Sequence, residues 1–156
     1  MSDHPILIVD LEATCWDSST SETQPQTLQS MEIIEIGCAL ATRQGAVLDA
    51  RSFLVRPVRQ PQLSDFCTQL THITQSMVDG APPLADAIAQ MNVWLSNISD
   101  DFIWGSWGNY DLHHLTTQCA VDGANSALLK HDHLNLKKLW RRTTRQRKRT
   151  SLAAAL

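Results

Sequence analysis

A chain of 156 residues, 43% hydrophobic and 19% charged, can build one sizeable core and is too short for two ordinary domains. No apolar run approaches the roughly 20 residues a membrane span needs, and the N-terminus lacks the positive head of a secretory signal. Four widely separated cysteines (Cys15, Cys38, Cys67, Cys119), with no C-x-x-C pair, read as reduced and packed thiols, so a soluble cytoplasmic protein is expected.

Charge divides unevenly along the chain. Residues 1–129 hold 15 acids against Arg43, Arg51, Arg56 and Arg59, whereas residues 130–156 hold nine Lys or Arg and only Asp132. A basic segment on an acidic body fits either a solvated helix face or a polyanionic partner such as nucleic acid.

Ile6-Leu-Ile-Val-Asp-Leu is an apolar run ending in an acid, the form of a central strand. Asp17 to Ser30, rich in Ser, Thr and Gln, reads as a loop. Met31 to Ala41 and Val47 to Val55 are two further strands, and the tight turn at Arg43-Gln-Gly45 makes them an antiparallel hairpin. Ser64 can cap a helix through Leu70, and Thr74 another through Val78, stopped by Gly80 and Pro82-Pro83. Leu84, Ile88, Met91 and Leu95 form the stripe of an amphipathic helix over 84–98.

Phe102 to Ser106 is a fourth strand, and Leu112, Leu115 and Cys119 mark a helix over 111–119. His131 and His133 fall in a loop-like stretch. A helix over 134–140 is expected, with Leu136, Leu139 and Trp140 inward and Lys137 outward. Thr150-Ser151 then caps Leu152 to Leu156. A three-strand antiparallel meander followed by alternating helices and strands makes a mixed α/β sheet.

Asp10 and Glu12 stand one residue apart at the end of the first strand, so both side chains point to one face. Two carboxylates held together repel, and a divalent cation such as Mg²⁺ or Mn²⁺ relieves that cost. Asp111 opens a helix after another strand. It suits a helix-capping acid, and equally a third ligand that completes a two-metal cluster for phosphodiester cleavage.

Four blocks occur in order: Asp10-Leu-Glu-Ala-Thr-Cys-Trp16, Met31-Glu-Ile-Ile-Glu-Ile-Gly37, Phe66-Cys-Thr-Gln-Leu-Thr-His-Ile-Thr74 and Trp107-Gly-Asn-Tyr-Asp111. In combination they resemble the DEDD superfamily of 3′→5′ exonucleases, nearest the exoribonucleases related to the histone-mRNA and RNA-interference-regulating enzymes. The resemblance covers essentially the whole chain and implies a ribonuclease-H-like mixed sheet flanked by helices.

It also implies that Asp10, Glu12 and Asp111 are catalytic acids ligating two Mg²⁺ or Mn²⁺ ions. Ala13 and Thr14 match the turn that holds the 3′ end of the terminal nucleotide. Leu70, Thr71 and Ile73 match the loop beside its base, and His72 occupies a variable position within that loop. Trp16 and Trp107 fit either base stacking or core packing. Glu35 fits either a support to the acids or a plain strand residue.

The resemblance stops short of the last motif, a His about five residues before a final Asp in a C-terminal helix. That His is the general base and that Asp the fourth ligand; none of the six histidines matches the pattern. The expectation is therefore one exonuclease domain over 1–156, truncated before its final helix, which binds metal weakly and cleaves poorly as it stands.

Its substrate would be the 3′ end of single-stranded RNA or DNA, RNA favoured, released as nucleoside 5′-monophosphates. No membrane and no obligate protein partner are implied. Lys137, Lys138, Arg141, Arg142, Arg145, Arg147, Lys148 and Arg149 would track its phosphates. The alternative is a non-catalytic nucleic-acid-binding module of the same fold. A haloacid-dehalogenase-type phosphohydrolase also starts on a strand ending in Asp, but needs a second Asp where Glu12 stands.

Overall fold

The apolar N-terminal run becomes β1 (Ile6–Ala13), the middle strand of a five-stranded sheet. Leu7, Val9 and Leu11 point into the core; Ile6, Ile8, Asp10 and Glu12 occupy the opposite face. The computed structural model describes residues 4–19, 24–146 and 151–155. Thr150 and the cations Arg147, Lys148 and Arg149 lie outside the described residues.

On one side of β1, the strands β2 (Ile33–Ala41) and β3 (Val47–Leu54) run antiparallel, as the meander predicts. On the other side stand β4 (Ile103–Ser106) and β5 (His133–Asn135), both parallel to their neighbours. The order is β3-β2-β1-β4-β5. Chain direction across the sheet reverses at β1, the place in an open sheet where ligands collect beyond the carboxyl ends of the strands.

The helices are α1 (Asp65–Thr71), α2 (Gln75–Asp79), α3 (Leu84–Ser96), α4 (Tyr110–Asp122), α5 (Leu136–Thr143) and α6 (Leu152–Ala155). Ser64 caps α1, its hydroxyl accepting the Cys67 N–H at 3.0 Å. The α3 stripe of Leu84, Ile88, Met91 and Leu95 is buried with Leu115 and Cys119 of α4 on Leu7, Val9 and Ile36. All four cysteines are free and buried.

A bulge between Glu12 and Ala13 serves two cores at once. Glu12 opposes Glu35 and Ala13 opposes Ile33, which leaves Ile34 as the extra residue. Ile33 therefore joins the main core. Ile34 fills a smaller cluster with Cys15, Cys67, Ile73 and Val78 that seats α1 and α2 beside the end of β1.

Three expectations for the C-terminal part of the chain fail. His133 lies in β5 rather than in a loop, and the helix begins at Leu136, with Asn135 accepting the Lys138 N–H at 2.9 Å. Leu139 faces solvent at 49% exposure, because only the first turn of α5 reaches the sheet, where Leu136 sits over Gly105.

Candidate active site

Pairing between β1 and β4 covers only Ile6–Ile8, while β1 runs on to Ala13. Asp10 and Glu12 ride on that overhang, on one face. Asp111 reaches it from the first turn of α4, where a carboxylate complements the helix dipole. The cap position itself belongs to Asn109. Asp111 is buried, and the backbone N–H of Leu11 and the Ser106 hydroxyl lie near enough to favour its charged form.

These acids sense one another. Burial, then the charge of Asp10, pushes the Asp111 carboxyl up to about 6 against the opposing pull of the nearby Leu11 N–H and Ser106 hydroxyl. Asp10 is raised by loss of solvent and then by Glu35. Glu12 is raised by loss of solvent and then by Asp10, Glu35 and Asp111. Glu35 thus belongs to the same field as a fourth carboxylate. It faces Glu12 across the β1–β2 pairing and accepts a short hydrogen bond from Ser52.

Hard oxygen donors whose protonation is favoured by mutual repulsion suit Mg²⁺ or Mn²⁺. Among the described residues, however, no three His, Cys, Asp or Glu side chains are gathered tightly enough to enclose an ion. The arrangement is a shared anionic field rather than a closed cage.

The expected substrate residues separate into three situations. Thr14 is buried and bound into the fold: its N–H donates to the Glu32 carbonyl at 2.8 Å, and its hydroxyl accepts the Glu32 N–H at 2.9 Å. The Ala13 carbonyl accepts from the Cys67 thiol at 3.6 Å. Leu70 is exposed on α1, and Thr71 donates its hydroxyl to the Cys67 carbonyl at 2.8 Å. Ile73 does not line a surface. At 2% exposure it packs in the smaller cluster, because the turn after α1 folds it beneath the loop.

Two residues escape sequence reading. The Glu32 carboxylate, 1% exposed, accepts the backbone N–H groups of Val58 (2.9 Å), Arg59 (3.0 Å) and Gln60 (2.8 Å) and lies 3.7 Å from the Arg59 guanidinium. Arg59 continues to Asp122 of α4 at 2.7 Å. One buried acid thereby joins the start of β2, the 58–60 loop and α4. Tyr110, beside Asp111, is 48% exposed with its ring edge-on to buried His114. Its position next to Asp111 was the available signal.

The histidines also find places. His114 bonds the Met31 carbonyl at 3.0 Å, and burial lowers its pKa. His131 stacks on Phe102. His133 meets the Ser106 hydroxyl at 2.8 Å, one group removed from Asp111, and burial followed by His113 lowers its pKa. Trp107 tilts against Trp140 at 6.0 Å. Trp16 donates its indole N–H to the Gln24 carbonyl at 2.6 Å and borders a cavity of about 500 Å³ with Thr14, Gln60 and Leu63.

Residues 7–156 match the family profile RNase_T, described as exonuclease. The chain belongs to this exonuclease family. Within it the similarities point to the DEDDh 3′→5′ exonucleases of the ERI1 branch. The chain is 38% identical to ERI1 exoribonuclease 2 of Danio rerio over 97 residues, which is 62% of this chain and 16% of that protein. It is 31% identical to ERI1 exoribonuclease 3 of Homo sapiens over 148 residues, 88% of this chain and 40% of that one.

The nuclease domain of 3′hExo, a DEDDh family member bound to rAMP, superposes with a TM-score of 0.78 at 26% identity, over 93% of this chain and 72% of that one. Exonuclease I, at 11% identity and a TM-score of 0.69 over 94% of this chain and 31% of that one, shares the fold. The chain thus spans well under half the length of these two ERI1 relatives. No helix among the described residues is long and apolar enough to cross a membrane.

Proposed function

We propose that this domain is a divalent-metal-dependent 3′→5′ exonuclease acting on single-stranded nucleic acid, RNA favoured, and releasing nucleoside 5′-monophosphates. The observation that carries the reading is that Asp111, from the first turn of α4, shares one electrostatic field with Asp10 and Glu12 at the end of β1. Asp10, Glu12 and Asp111 would hold the cations by their carboxylate oxygens. Bound there, Mg²⁺ or Mn²⁺ supplies an activated water and charge stabilisation for the departing 3′ oxygen.

The protein's own residues do the rest. The Ala13-Thr14 turn, fixed by Glu32 and Cys67, presents backbone to the terminal sugar. Leu70 and Thr71 border the terminal base, and the exposed Tyr110 ring offers a stacking face next to Asp111. The preference for RNA draws support from two similar structures, 3′hExo bound to rAMP and a 3′-exonuclease in 3′-end specific recognition of a histone mRNA stem-loop.

No residue of this sequence matches the His and Asp of the last family motif, so slow cleavage and weak metal binding are expected of this polypeptide alone. That gap, together with the open arrangement of the acids, favours non-catalytic nucleic-acid binding as the second reading.

The test is prolonged digestion of a 5′-labelled single-stranded RNA by this chain with Mn²⁺. A ladder shortened from the 3′ end is expected, with Asp10→Ala and Glu12→Ala each reducing the rate at least about 100-fold. Absence of the ladder overturns the catalytic reading.

A further inference from the structure

The cations of α5 are not spread over a featureless face. Lys137, Lys138 and Arg141 line a cavity of about 410 Å³ together with Gly108, Asn109 and Asn135. A second cavity of about 280 Å³ continues from it along Lys138, Arg141, Arg142 and Gln146. The two share Lys138 and Arg141 and so form one furrow along the helix.

Its inner end is anchored to the acid centre. The Asn135 amide donates to the Asn109 side chain at 2.9 Å, and its oxygen accepts the Lys138 N–H at 2.9 Å. Asn109 stands two residues before Asp111. Leu136 lies against Gly105, which pairs with Ile8 on the face that carries Asp10 and Glu12. The turn from Gly108 to Asp111 is therefore a shared wall, with carboxylates at one end and cations at the other.

Ion pairing within the protein leaves these lysines available. The ion pairs among the described residues join His4 to Asp101 and Arg59 to Glu32 and Asp122; none engages Lys137, Lys138 or Arg142. Residues 136–146 contain no acid. The rest of the chain is acidic and repels polyanions, so a strand that reaches Asp111 needs compensating charge nearby.

We propose that this furrow is a phosphodiester track, holding the strand upstream of the nucleotide to be released through its phosphates, with the two asparagine amides at the entrance to the acid centre. The proposal rests on the exonuclease reading, in which only the 3′-terminal nucleotide occupies the acids and the remaining strand must exit along the surface. A track of this kind is indifferent to sequence and sensitive to salt.

The experiment is fluorescence anisotropy with a fluorescein-labelled single-stranded RNA in EDTA, where no cleavage occurs, over a series of salt concentrations. Lys137→Gln/Lys138→Gln should bind about tenfold more weakly at low salt and reduce the slope of log K against log salt by about 1.4, two cations at about 0.7 each. Lys130→Gln, a cation outside the furrow, should match wild type, and Lys137→Arg/Lys138→Arg should restore the slope.

Wild-type binding with an unchanged slope in the Gln pair overturns the track while leaving the exonuclease reading standing. Failure of wild type to bind RNA, with binding to phosphatidylserine vesicles instead, overturns both in favour of a membrane surface.

Discussion

The Asp111 carboxylate lies near enough to the backbone N–H of Leu11, the residue that separates Asp10 from Glu12, for that N–H to favour its charged form. The first turn of α4 thus meets the overhang of β1, and the three acids share one field. Glu35, facing Glu12 from β2, extends the same field. The cost of crowding carboxylates is carried by the fold, and it is relieved by whatever neutralises them.

A pH dependence follows from this crowding. Burial and Asp10 push the Asp111 carboxyl up to about 6, against 3.8 for an ordinary aspartate, so the folded state binds the proton more tightly than the unfolded state. Its contribution is full below about pH 4 and is lost as pH rises through 6, by about 3 kcal/mol at most. Asp10 and Glu12 shift in the same direction. Urea unfolding in EDTA at pH 4.5 and pH 7 should show this loss, and Asp111→Asn should flatten it.

Glu32 gives a prediction about stability and position. Its carboxylate serves three backbone N–H groups in a site 1% exposed, so Glu32→Gln leaves donors poorly matched and Arg59 without its buried partner. A loss of about 2–4 kcal/mol in urea unfolding is expected. In an active form, the Michaelis constant for RNA should rise more than kcat falls, because Thr14 is tied to the Glu32 backbone rather than to the acids.

Gly105 tests how α5 is seated. A Cβ there would come within 3.0 Å of the Leu136 side chain and 3.1 Å of the Leu134 carbonyl oxygen. Gly105→Ala should cost about 1–3 kcal/mol and, by displacing the first turn of α5 with Lys137 and Lys138, weaken RNA binding although no lysine is removed. Anisotropy and thermal unfolding on the same sample check both effects.

Much of this architecture follows from local chemistry. The meander is legible from a short turn between apolar segments, and α1 from Ser64 placed before it. β5 is not legible, because His133-Leu-Asn135 has no strand-forming residue beyond one leucine and its pairing is supplied by β4 from a distant part of the chain. The 136, 139, 140 spacing predicts Leu139 on the inward face, but it does not show that the sheet ends beneath the first turn of α5 and leaves Leu139 in solvent. Glu32 looks like any strand acid until the 58–60 loop is folded over it. Ile73 shows the converse: its motif fixes the loop, while the bulge at Ile34 decides that its side chain is buried.

The most direct test of the shared anionic centre is a calorimetric titration with Mn²⁺ at pH 7, comparing wild type with Asp10→Asn and Asp111→Asn. Saturable binding by wild type, weakened at least about tenfold in each variant, is the predicted result. Equal binding by all three proteins would place the cation elsewhere and contradict the account.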